Sequence, residues 1–181
     1  MFFVKELEET ILLHPSYFGP QMTEYLKQKL HADVEGTCSG RIGYIISVLS
    51  ILDIGSGKVI PGTGQAEFRT KYSAIVMKPF KGEVVDGIVE TVSKMGIFLG
   101  HGPLSIFVSS HHLPPNMIFD PNSNPPAYSM AKTEDNDDTD ENGSIKVEKG
   151  TKLRCKLIGT RVDATEIFAI GSIKDDYLGI V

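Results

Sequence analysis

Between Phe3 and Leu13 the odd positions carry Phe3, Leu7, Ile11 and Leu13, an apolar face interrupted by Lys5 and Glu9. This period of two predicts a strand, which His14-Pro15 ends. After Gly19-Pro20 the period changes: Met22, Tyr25, Leu26, Leu30 and Val34 recur at steps of three and four, while Glu24, Lys27, Gln28 and His31 take the other side. That spacing predicts one amphipathic helix, begun with Pro20 in its first turn and stopped at Gly36. The stretch from Arg41 to Leu52 is rich in Ile, Val, Leu and Tyr, and Phe68, Thr70, Tyr72, Ala74 and Val76 alternate with Arg69, Lys71, Ser73 and Ile75. Both predict strands, so that one helix can cover one face of a small antiparallel sheet. Between them Gly55-Ser56-Gly57 and Pro61-Gly62-Thr63-Gly64 punctuate a loop in which Lys58-Val59-Ile60 can extend as a hairpin. On composition alone its tip is a tolerated surface turn, with a docking finger as the functional alternative.

The seam is Met77-Lys78-Pro79-Phe80. Beyond it the pattern yields short strands and turns: Glu83 to Thr91, Gly96 to Leu99, Leu104 to Val108, Lys152 to Gly159 and Glu166 to Ile170. Five such strands suit a small barrel. Gly87 inside the first of them supports closure, because a tight barrel needs sites where its strands can bend and coil. The fold class is therefore α+β: residues 1–80 form a sheet covered by one helix, and residues 81–181 form a small five-stranded barrel. A long connection separates the third and fourth barrel strands, with Pro114-Pro115, Pro121 and Pro125-Pro126 followed by an acidic insertion near 130–144. Six of the eight residues from Glu134 to Glu141 are Asp or Glu, a block that repels itself and cannot bury a core. It reads as a flexible solvated loop, since a calcium-binding hand would need flanking helices that the pattern does not supply.

Composition narrows the function. The 181 residues are 41% hydrophobic and 23% charged, the balance of a packed globular chain. No stretch approaches the roughly 20 apolar residues of a membrane helix. The opening Met1-Phe2-Phe3-Val4-Lys5-Glu6 lacks the layout of a secretory signal, which predicts a chain that stays inside the cell and away from membranes. A net charge of −5 means that any attraction to nucleic acid must be local. Cys38 and Cys155 are far apart and predict buried, unreactive thiols.

Catalytic and cofactor motifs are missing. His111-His112 has no Cys, Asp or Glu at ligand spacing, and reads as loop surface. Gly62-Thr63-Gly64 lacks the Gly-Lys-Ser/Thr ending of a phosphate loop. No local context suggests a nucleophile–base pair. The expectation is a chain with no catalytic residues, metal or cofactor.

Lys78-Pro79-Phe80-Lys81-Gly82-Glu83-Val84-Val85-Asp86-Gly87, then Ser93-Lys94-Met95-Gly96-Ile97-Phe98, then Gly102-Pro103-Leu104 and Ile106-Phe107-Val108, resembles the oligonucleotide-binding (OB) barrel of the ribosomal S-one type, which implies an OB fold for residues 81–181. Leu13 to Pro20, Asp33-Val34-Glu35-Gly36, Ser123-Asn124-Pro125-Pro126, Phe168 to Ser172 and Asp176-Tyr177-Leu178-Gly179 extend a resemblance across the whole chain. It is to the family of seventh subunits of eukaryotic RNA polymerase II, of fungal type, whose counterparts in archaea and in polymerases I and III share the two-domain plan.

The resemblance implies a nuclear, non-catalytic stalk subunit that pairs with the fourth subunit of RNA polymerase II, sits on core subunits near the clamp, supports initiation and meets the single-stranded nascent transcript. It implies that Pro15, Tyr17, Phe18 and Gly19 with Pro61, Gly62 and Gly64 dock on the core, glycine allowing close backbone approach. It also implies RNA contact through Phe98 and Phe107, which either stack on bases or point into the barrel. Lys81, Lys94, Arg154 and Lys156 would supply local positive charge. Ser109 replaces a histidine common in such barrels, so the expected contact is weak, salt-sensitive and largely non-specific. The apolar end, with Tyr177, Leu178, Ile180 and Val181, is expected to be covered by a partner or the inter-domain seam. The rival readings are a stalk subunit of another nuclear polymerase, a free single-stranded RNA-binding module, and a small enzyme using the barrel as a platform.

Overall fold

The computed structural model describes residues 1–121, 123, 125–130, 145–163 and 165–181. The chain divides into two compact units, Met1–Lys78 with Ala164–Glu166, and Pro79–Asp163 with Ile167–Val181.

In the first unit the predicted periods become β1 (Phe2–Leu13), α1 (Met22–Val34), β2 (Cys38–Ser39), β3 (Gly43–Ile54), β4 (Lys58–Val59) and β5 (Ala66–Met77). The sheet order is β1-β5-β3-β2, with β4 also on β5, and every pairing is antiparallel. One face of the sheet buries Ile11, Leu13, Ile45, Val48, Phe68, Tyr72, Ala74 and Val76 against Leu26, Leu30 and Val34 of α1. Fully burying a side chain of this size contributes roughly 1.5–3 kcal/mol, so the helix stripe holds α1 on the sheet. The helix starts one turn position later than the sequence predicts. Gln21 is its N-cap and Pro20 lies outside, in a turn closed by the Met22 amide donating to the Gly19 carbonyl at 3.1 Å. At the other end Gly36 adopts φ +78°, the left-handed conformation that terminates a helix, and its amide donates to Ile45 O.

The second unit contains β6 (Val84–Ser93), β7 (Gly96–His101), β8 (Leu104–Ser109), β9 (Met117–Asp120), β10 (Ala127–Met130), β11 (Ile145–Val147), β12 (Lys152–Val162), β13 (Ile167–Ser172) and β14 (Gly179–Ile180). β13-β8-β7-β6-β12 run side by side and β12 pairs back to β13, closing a five-stranded barrel in which only β8 and β13 are parallel. Val85, Val89, Ile97, Leu99, Leu104, Ile106, Val108, Leu153, Cys155, Leu157, Ile167 and Ala169 fill it. Gly87 is buried where a Cβ would come within 3.1 Å of Leu99 Cβ, the close strand approach that closure requires.

Three expectations change. The proline-rich connection is not all loop: β9, β10 and β11 form a three-stranded sheet that buries Met117, Ala127, Tyr128 and Val147. The acidic block 134–141 lies outside the described residues. Cys38 is only half-buried, although Cys155 is fully buried, and burial pushes its thiol up to about 12. His112 is half-buried rather than loop surface, because its carbonyl accepts the Ile173 amide at 3.0 Å. At the apolar end β14 pairs with Leu153 and Arg154 of β12, while Tyr177, Ile180 and Val181 stay exposed, Tyr177 at 98% with φ +65°.

Candidate nucleic-acid interface and docking surface

Alternation along β7 and β8 decides which way the phenylalanines face. Ile97 and Leu99, and Ile106 and Val108, are buried inside the barrel, so Phe98 and Phe107 between them point outward. The two are register partners on neighbouring strands, with ring centroids 4.8 Å apart and planes tilted by 40°. Phe98 is 43% exposed. Phe107 is half-buried because its ring lies over Gly96, where a Cβ would be 3.0 Å from the ring. Ser109 pairs with Gly96 at the end of this row.

Lys94 is exposed in the two-residue turn that joins β6 to β7, four residues before Phe98. The Tyr128 hydroxyl donates to the Ser93 and Lys94 carbonyls at 2.9 and 3.3 Å, and the Ser110 amide donates to Met95 O at 3.0 Å, so the turn is fastened from two sides. The other predicted cations are not gathered here. Lys81 precedes β6, at the end of that strand opposite Lys94. Arg154 and Lys156 belong to β12, separated from β8 by β13. Arg154 makes a bidentate pair with Asp86 at 2.6 and 2.8 Å, and its guanidinium holds the Asp86 carboxyl below the ordinary carboxylate range. Lys156 is paired with Asp175 at 2.8 Å.

The docking candidates do come together. Leu13 pairs with Ala66, which puts the turn after β1 and the loop before β5 at one end of the sheet. Pro15–Tyr17 form a 3-10 turn whose His14 cap accepts the Ser16 amide. The facing loop is closed by the Ile60 amide to Gln65 O at 2.8 Å. Gly62 and Gly64 adopt φ +99° and +69°, and a Cβ on Gly64 would lie 3.5 Å from Pro15 Cγ. Tyr17 and Phe18 are exposed beside them, Tyr17 stacking on Tyr25 at 4.9 Å.

Phe168, Ile170 and Arg161 are exposed and share the outer barrel wall with Phe98 and Phe107, which sequence reasoning did not foresee. The signal was present in Ile167-Phe168-Ala169-Ile170: an unbroken apolar run in a barrel strand leaves alternate residues outside. Among the described residues no cluster of His, Cys, Asp or Glu could hold a metal, and no helix is long and apolar enough to cross a membrane.

Residues 8–64 match the SHS2 domain found in the N terminus of Rpb7p/Rpc25p/MJ0397, and residues 78–170 match the S1 RNA binding domain. The chain is 58% identical over 183 positions to DNA-directed RNA polymerase II subunit rpb7 of Schizosaccharomyces pombe, covering 99% of both chains. It is 47% identical to DNA-directed RNA polymerase II subunit RPB7 of Glycine max, covering 100% of this chain and 97% of that one. Identity falls to 31% with DNA-directed RNA polymerase IV subunit 7 of Arabidopsis thaliana, over 76% of this chain and 74% of that one. Full-length similarity of this kind, matched in both units, shows that the chain belongs to the Rpb7 family of RNA polymerase II subunits.

Proposed function

We propose that the chain is a non-catalytic stalk subunit of nuclear RNA polymerase II that binds emerging single-stranded RNA on the outer wall of its barrel. The observation that carries the RNA assignment is the outward, mutually packed Phe98–Phe107 pair within the S1-matched stretch. Rings presented this way suit base stacking, worth about 1–3 kcal/mol per base, and every base has a face to stack. Lys94 supplies charge beside them, with Lys81 more distant. Arg154 and Lys156, already engaged by Asp86 and Asp175, contribute less net attraction. With Ser109 in place of a third ring, binding is weak and salt-sensitive.

The other half of the reading is attachment. The joined surface of Pro15, Tyr17, Phe18, Gly19, Pro61, Gly62 and Gly64 supports docking on the core near the clamp, because positive-φ glycines let another backbone approach closely. The chain works as a heterodimer with the fourth subunit and supports initiation from that position. The higher identity to polymerase II subunits than to the polymerase IV subunit favours polymerase II over another nuclear polymerase.

The test of the RNA assignment is the double variant Phe98→Ala with Lys94→Ala. It should bind single-stranded RNA more weakly while keeping an unaltered melting transition; unchanged affinity in the folded variant would remove the site.

A further inference from the structure

Five strands close the barrel, yet between its third and fourth strands the chain adds a sheet of its own, β9 to β11. Tyr128 of β10 is 2% exposed, with Phe119 of β9 and Val147 of β11 as its register partners and the Phe119 ring 5.3 Å away. A phenol buried this way must still find a partner for its hydroxyl. It donates to Ser93 O at 2.9 Å and to Lys94 O at 3.3 Å, 35 and 34 residues away along the chain. Burial pushes the hydroxyl above its ordinary 10.0, so it remains a donor at neutral pH.

The turn that receives these bonds does not hold itself. Ser93 pairs with Gly96, which leaves Lys94 and Met95 as a two-residue connection between β6 and β7. Connections of that length match the twist of their strands when one or both residues take positive φ, and neither Lys94 nor Met95 does. Three successive carbonyls of the turn are instead held from outside, those of Ser93 and Lys94 by Tyr128 and that of Met95 by the Ser110 amide at 3.0 Å. Lys94 is exposed, and among the described residues no carboxylate pairs with it.

We infer that Tyr128 is a positioning residue for RNA: the inserted sheet braces the turn, so that Lys94 reaches a phosphate from a fixed backbone. The inference rests on the RNA reading above and adds to it a residue that is itself buried away from any ligand. A fixed anchor point spares part of the ordering that binding would otherwise impose on the turn.

The test is anisotropy of a labelled oligouridylate with the full chain across a salt series. Lys94→Gln should lower the slope of log affinity against log salt by about 0.7, the share of one phosphate contact on a single strand. Tyr128→Phe, which keeps the ring and loses the hydroxyl, should weaken binding about two- to tenfold at low salt and lower the slope in the same direction. Added to Lys94→Gln it should have no further effect, the non-additivity expected of two residues that act as one. Phe119→Leu, which loosens the packing around Tyr128 and keeps its hydroxyl, should lower the melting temperature and leave the slope unchanged. An unaltered slope in Tyr128→Phe, an effect that adds in full to that of Lys94→Gln, or a slope lowered equally by Phe119→Leu would each make Tyr128 a packing residue and overturn the inference. Equal affinity and slope in Lys94→Gln and the parent would instead overturn the assignment of Lys94 to RNA, on which the inference rests.

Discussion

Gly96 illustrates how much one residue position constrains the outer barrel wall. A methyl group there would meet the Val108 carbonyl and come within 3.0 Å of the Phe107 ring, at φ +152°. Gly96→Ala should therefore destabilise the barrel by roughly 1–3 kcal/mol in denaturant titration and lower RNA affinity by displacing Phe107. Glu90 acts in the opposite sense. Its carboxylate folds over Gly100, the register partner of Ser105, where it would repel the phosphates of a bound strand. Glu90→Gln should strengthen oligouridylate binding severalfold at low salt, and the gain should shrink as salt rises. The facing of Phe98 was not legible in the sequence, because Ile97-Phe98-Leu99 is apolar throughout and an apolar run has no phase. The ion pairs were equally hidden, as Asp86 lies 68 residues from Arg154 and Asp175 lies 19 from Lys156.

The helix and its sheet are held by two kinds of contact. Leu30 is fully buried in the core, and Leu30→Ala should cost about 2–5 kcal/mol in denaturant titration. Just past the end of α1, the Glu35 carboxylate accepts the Val48 amide at 2.8 Å and the Ser47 hydroxyl at 3.2 Å. The Val48 amide, then His31, draws the Glu35 carboxyl below its ordinary 4.5. A folded value below the unfolded one means that the ionised form stabilises the fold above 4.5 and that this contribution is lost as pH falls through the folded value. Glu35→Gln should thus flatten the acid limb of a stability profile below 4.5 and change little of the pH dependence near neutrality. At this scale the sequence was most readable where periods were long and clean, in β1, α1, β5 and the five barrel strands. It was least readable in β9 to β11, where prolines suggested loop although the short strands between them bury Met117 and Tyr128. Four-residue strands carry too few alternations to outweigh such punctuation.

Across the whole molecule the net charge is −5, so the proposed attraction to RNA must come from local cations such as Lys94 rather than from the overall field. The proposed attachment rests on residues of the first unit, apart from the barrel. Replacing Gly62 and Gly64 by bulky residues should reduce retention of the chain on purified ten-subunit core while leaving oligouridylate binding unchanged, since both lie at positive φ in a loop of the first unit. The docking assignment rests on resemblance; composition gave a surface turn, and only the β1–β5 register shows that residues 15–19 and 61–64 share one end of the sheet. The central claim is that this chain works as a polymerase II subunit, and the most direct measurement is a pull-down of the tagged full chain from native nuclear extract with bound proteins identified by mass. The account predicts recovery of a small stalk partner together with the largest polymerase II subunits. Recovery of polymerase I or III subunits instead, or of ribosomes or RNA-processing factors with no polymerase, would contradict it.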